Sequence, residues 1–139
     1  SPLVVAQRFA SEYSDYASNG IVPGVNVAAG GNILLLVSAF SSDNTAETVI
    51  SMSQNIADFW KTVTTKGEPA HGGSEVVSVT VAISEGDLRS AINSNVDAPP
   101  QIEGWLPMHI SIENILRSAV FIVTELIDGV EVQFNESIT

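Results

Sequence analysis

The chain has 139 residues, 45% of them hydrophobic, no cysteine, and five Lys+Arg against sixteen Asp+Glu for a formal charge of −11. Apolar content on that scale supports one buried core, so a single domain over 1–139 is expected and a disordered tail is excluded. The missing cysteines remove disulfide frameworks, thiolate zinc and cysteine nucleophiles, and the scattered cations Arg8, Lys61, Lys66, Arg89 and Arg117 lack the clustering that direct nucleic-acid or anionic-membrane binding requires.

In chain order, Ser1 as cap and Pro2 at the first helical position start a helix over about 2–18,. Its stripe is Val5, Phe9, Tyr13 and Tyr16, flanked by Leu3, Ala6, Ala10 and Ala17, and Asn19-Gly20 ends it. The first eight residues carry no basic segment ahead of a long apolar run, so no secretory leader is expected there. A loop of β-like residues follows (Val22, Val25, Val27), broken by Pro23, Gly24 and Gly30-Gly31. The run Ile33–Val37, inside 32–42, fits either a buried strand or a short helix on its own pattern.

A long amphipathic helix is expected over 45–65, because Val49, Met52, Ile56, Phe59/Trp60 and Val63 fall on one stripe of a 3.6-residue period,. Asn44 supplies the cap oxygen, Glu47 reaches back to it, and Gly67 offers the left-handed position beyond the helix end. This unit looks repeated. Gln7-Arg8-Phe9-Ala10 aligns with Gln54-Asn55-Ile56-Ala57 at an offset of 47, which also pairs Tyr13 with Trp60 and Gly20 with Gly67. At an offset of 109, Arg8, Ala10, Tyr13 and Gly20 align with Arg117, Ala119, Ile122 and Gly129. Leu36–Ser42 aligns with Leu88–Ser94 at an offset of 52, and the second copy follows the helix start Ser84-Glu85-Gly86-Asp87, so short helices are expected over 32–42 and 85–94.

Between these, Glu68–Gly73 reads as a turn and Val76–Ile83 as a strand, β-branched and partly alternating. A connector at Asp97–Gln101 leads to a last helix over about 109–128, and Gly129–Thr139 is a short strand or arm with Val130, Val132 and Phe134 on one side,. Ser111, Glu113, Asn114, Arg117, Ser118, Thr124 and Glu125 make the apolar-rich stretch Ile110–Ile127 too polar for a membrane span. The fold class expected is mainly α: helix–turn–short-helix units at about 1–43, 44–97 and 108–139 with a minor β component, α+β being the alternative.

No catalytic, cofactor or metal constellation emerges. His71 and His109 stand far apart and outside metal-ligand spacing, and read as structural or surface residues. The pairs Gly30-Gly31 and Gly72-Gly73 are followed by no Lys-Ser/Thr and read as turns. Asp43/Glu47 and Glu85/Asp87 sit at helix starts, where the helix dipole explains them at ~0.3–1 kcal/mol each. Trp105 reads as a core aromatic or as an exposed interface anchor.

The order of Ala57-Asp58-Phe59-Trp60, the Gly/Pro-rich turn Gly67–Gly73, a Val-rich segment and the short helix Leu88–Ile92 resembles small structural proteins from the head, neck and tail regions of tailed bacteriophages. The resemblance covers residues 46–94, with an echo at 6–42. It implies a virion subunit assembled in the host cytoplasm, without an active site or cofactor, that contacts copies of itself or other virion proteins. On their own pattern, and apart from the resemblance, Trp105, Val130, Val132 and Phe134 are the interface candidates,. A cellular oligomeric binding module in the cytoplasm, and a small enzyme centred on the loop 66–73, are the alternatives.

Overall fold

A computed structural model describes residues 2–27, 33–37, 45–93 and 105–139. Along the chain these form α1 (Pro2–Ser18), β1 (Val25–Asn26), α2 (Ile33–Val37), α3 (Thr45–Lys61), β2 (Thr64–Thr65), β3 (Glu75–Ala82), α4 (Glu85–Asn93), α5 (Trp105–Arg117), β4 (Val120–Ile127) and β5 (Val130–Glu136). β1 and β2 make a two-stranded antiparallel ribbon, and β3-β4-β5 make a three-stranded antiparallel sheet.

The architecture is therefore α+β, and the expectation of mainly helical repeats is overturned. The decisive segment is 120–127, assigned above to a helix over 109–128. The helix α5 stops at Arg117, where the Ser118 hydroxyl returns to the carbonyls of Asn114 and Ile115. Beyond it, Val120, Phe121, Ile122, Val123 and Thr124 are β-branched or aromatic residues, which lose side-chain freedom in a helix and pack well on a pleated sheet. The third copy of the repeat therefore fails, because Ile122 lies in a strand. The Val-rich segments 76–83 and 130–134, which on sequence fit pairing either within the chain or with a neighbour, supply β3 and β5, and these pair with β4 on its two sides.

Helix α3 buries the stripe expected of it, and α1 part of its own, with Tyr16 half-buried, Leu3 exposed and the Val5 side chain outside the described residues. Ala6, Phe9, Ala10, Tyr13 and Ala17 are buried on α1, and Val49, Met52, Ile56, Phe59 and Trp60 on α3. α3 ends at Lys61, with the Thr62 hydroxyl and N–H both on the Phe59 carbonyl. Thr64-Thr65 is consequently a strand and not the helix's last turn, and Gly67, with φ of 77°, lies beyond that strand. The expected cap at Asn44 and the residues 38–42 of the expected short helix lie outside the described residues.

An aromatic cluster joins helices to sheet. Trp60 meets Phe59 edge-on at 5.3 Å, and the ring of Phe121 on β4 at 5.7 Å. Tyr13 adds edge contacts to Phe59 and Trp60 and a stacked one to Phe9. Such pairs contribute ~0.5–1.5 kcal/mol each beyond the area they bury. Paired residues of an antiparallel sheet share a face, so Val76, Val79 and Val81 of β3 and Phe121, Val123 and Glu125 of β4 all lie on the side that meets the helices,.

Candidate functional site

The most distinctive feature is the β4–β5 hairpin and the loop that holds it. Asp128 and Gly129 have φ of 51° and 79°, positive at both central residues, as a type I′ turn requires,. This two-residue turn sets the register from Ile127↔Val130 to Phe121↔Glu136 without interruption. The pair flanking such a turn is hydrogen-bonded and the pattern alternates along the ladder. Val130, Val132, Phe134 and Glu136 therefore direct their backbone groups to β4. Glu131, Gln133 and Asn135 direct theirs away, to an edge where no strand pairs among the described residues.

The side chains follow the same alternation. Val132 and Phe134 are half-buried on the sheet's inner face, opposite Glu125 and Val123, while Glu131, Gln133 and Asn135 are exposed. Val130, at the hairpin tip, is 61% exposed. Three of the four interface candidates thus share one face, and only Val130 presents most of its surface. Trp105 opens α5, but its side chain, like that of His109, lies outside the described residues.

Glu125 anchors the loop. It is fully buried, and its Oε1 accepts the backbone N–H groups of His71 at 3.1 Å and Gly73 at 2.7 Å. Gly72 between them has φ of 82°, so the two N–H groups converge into a small anion-binding concavity,. A Cβ on Gly73 would sit 2.5 Å from the Leu126 carbonyl and 2.8 Å from Glu125 Oε1, so only glycine fits. Oε2 of Glu125 is buried and has no hydrogen-bond partner among the described residues. The two hydrogen bonds to Oε1 offset part of the cost of burying this carboxyl group,.

His71 completes the clasp. Its ring stacks on Phe134 with centroids 3.8 Å apart and planes 10° from parallel. Its Nε2 lies 2.6 Å from Glu136 Oε1. One loop therefore grips β4 through Glu125 and β5 through Phe134 and Glu136.

The remaining candidates are structural. Ser84 Oγ caps α4 by accepting the Asp87 N–H, and Glu85 pairs with Arg89 at 3.1 Å. Asp43 and Gly30-Gly31 lie outside the described residues. A shallow hollow of about 200 Å³ lies between α1, α5 and the chain's last residues, with Tyr16, Glu113 and Arg117 on its wall. Burial, and then the charge of Glu113, push the Tyr16 phenol up to about 12. Among the described residues no group of three His, Asp or Glu side chains can hold a metal, and no helix is long and apolar enough to cross a membrane.

Sequence reasoning missed Glu125 and the roles of His71 and Gly73. Glu125 did leave a signal, as a lone acid in the run Val120–Ile127, but its partners lie 52 and 54 residues upstream. The chain matches no protein-family model, no curated protein and no solved structure.

Proposed function

We propose that this protein is a structural or assembly subunit that works through protein–protein contacts, and that its resemblance to small proteins of tailed-phage virions reflects that role, with assembly in the host cytoplasm. The observation that carries the reading is the outer edge of β5, where the backbone groups of Glu131, Gln133 and Asn135 point away from the sheet. Soluble proteins usually blunt or cover such an edge, and an uncovered one recruits a strand. The clasp of His71 and Gly73 supports the same role, since a hairpin held on both strands presents its edge with little ordering cost. The acidic surface favours a partner that is basic or that meets the edge where charge is sparse.

The test is light scattering on the purified protein, alone and mixed with the products of neighbouring genes. Concentration-dependent association or a stoichiometric complex is expected. A protein that stays monomeric and unbound in every mixture overturns the reading.

A small enzyme centred on the loop 66–73 is the second reading, favoured by the His71 imidazole at the Glu136 carboxylate, with the backbone N–H of His71 held by Glu125. Loss of a measurable hydrolytic activity in His71→Gln, with association unchanged, would put this reading first.

A further inference from the structure

We infer that two copies of this chain associate through β5, antiparallel about a two-fold axis at Gln133, to form one continuous six-stranded sheet. This rests on the assembly reading above and names its partner. The register follows from the hairpin. The outward backbone groups belong to Glu131, Gln133 and Asn135, and only an antiparallel pairing centred on Gln133 satisfies all of them. Glu131 then exchanges hydrogen bonds with Asn135 of the second copy, Gln133 with its own counterpart, and Asn135 with Glu131.

The side chains agree with that register. On the inner face Val132 lies opposite Phe134 of the second copy, and Val130 opposite Glu136. On the outer face Glu131 lies opposite Asn135, and the two Gln133 amides face each other. No like charges are directly opposed, the arrangement most damaging to a strand pair. Glu136 of the second copy, next along from Asn135, points to the other face and is held by His71. The two Glu131 carboxylates stand four residues apart along the ladder, roughly 14 Å at ~3.4 Å per residue, beyond the ~8 Å screening length at physiological salt.

The sheet's other edge is less suited. The β3–β4 ladder shifts register between Val76 and Ser78, and a bulge twists an edge away from further pairing. β5 keeps unbroken register over all seven of its pairs.

The experiment combines light scattering with two substitutions. Gln133→Pro removes an outward N–H that β4 does not use, which an edge strand tolerates. Gln133→Cys introduces the chain's one thiol, next to its counterpart across the axis. The wild type is expected to dimerise with concentration, more tightly as salt screens the −11 charge of each copy,. Gln133→Pro should weaken dimerisation by roughly tenfold or more, with its circular dichroism unchanged. Gln133→Cys should cross-link under mild oxidation, and Val130→Cys, whose counterpart lies far along the ladder, should not. Should Gln133→Pro misfold, the cross-linking pair decides alone. A dimer that resists the proline and does not cross-link at 133 overturns this interface and leaves assembly standing. A monomer that binds a neighbouring gene's product overturns self-pairing only, and a monomer that binds nothing overturns both.

Discussion

The indole Nε1 of Trp60 donates a hydrogen bond to the hydroxyl of Tyr13 at 2.9 Å, and both side chains are fully buried. These two residues, 47 apart, hold equivalent positions in two similarly patterned helices, and they meet in the middle of the core. Tyr13→Phe keeps the ring contacts and removes the acceptor, leaving a buried indole N–H unsatisfied. The expected cost is ~1–3 kcal/mol, read from urea unfolding. A variant as stable as the wild type would show that this hydrogen bond contributes nothing net.

Alkaline pH should unfold the protein through Tyr13 and its neighbour Tyr16. Burial holds the Tyr13 phenol far above its ordinary value of 10.0, and Tyr16 is pushed up to about 12. A tyrosine raised in the folded state binds its proton more tightly there than when unfolded, so its contribution is fully present below pH 10 and is lost as pH rises above that. Unfolding free energy should be flat with respect to these groups below pH 10 and fall above it. Tyrosinate absorbance from Tyr13 should then appear together with unfolding. Its appearance in a fully folded protein near pH 10 would contradict the burial.

Gly73→Ala tests the clasp. The added methyl meets the Leu126 carbonyl and the Glu125 carboxylate, and backbone at that distance yields only if the loop moves. A loss of ~1–3 kcal/mol is expected, as for overpacking elsewhere. The His71 resonances should shift as the ring leaves Phe134. Gly67→Ala, where a Cβ meets nothing within 4 Å but φ is 77°, should show the backbone strain without disturbing His71.

Ala57→Leu should overpack the core by ~1–3 kcal/mol, because Ala57 is only 2% exposed on the buried face of α3,. Denaturant unfolding of the variant measures it directly.

Which features were legible in the sequence follows from where their causes lie. The buried faces of α1 and α3 depend on spacing within one segment, so Phe9, Tyr13, Met52, Ile56 and Trp60 could be read directly. The strand β4 could not. Ile112, Leu116 and Ala119 are buried at helical steps, and Phe121, Val123 and Glu125 at strand steps, so the period changes inside one continuous apolar run. Asp128-Gly129 between two β-branched segments was the local sign of a hairpin, and reading the run as helix passed over it. The partners of Glu125 come from a loop across the sheet, and no local pattern announces them. His71 and Phe134 meet only after three strands have taken their register.

The order of strands in the sheet has a kinetic consequence. β4 and β5 are joined by two residues, and a hairpin of that kind forms in about 1–10 μs. β3 reaches β4 only after α4, α5 and the chain between them have been brought round, with Glu75 opposite Leu126. Closing so long a loop makes this pairing the slow step. Until then β4 shows one bare edge with Val120, Ile122 and Leu126 beside it, and the hairpin, already formed, can stack on others like itself. Refolding should therefore lose yield steeply as protein concentration rises, and aggregates trapped early should be richer in strand than the native chain.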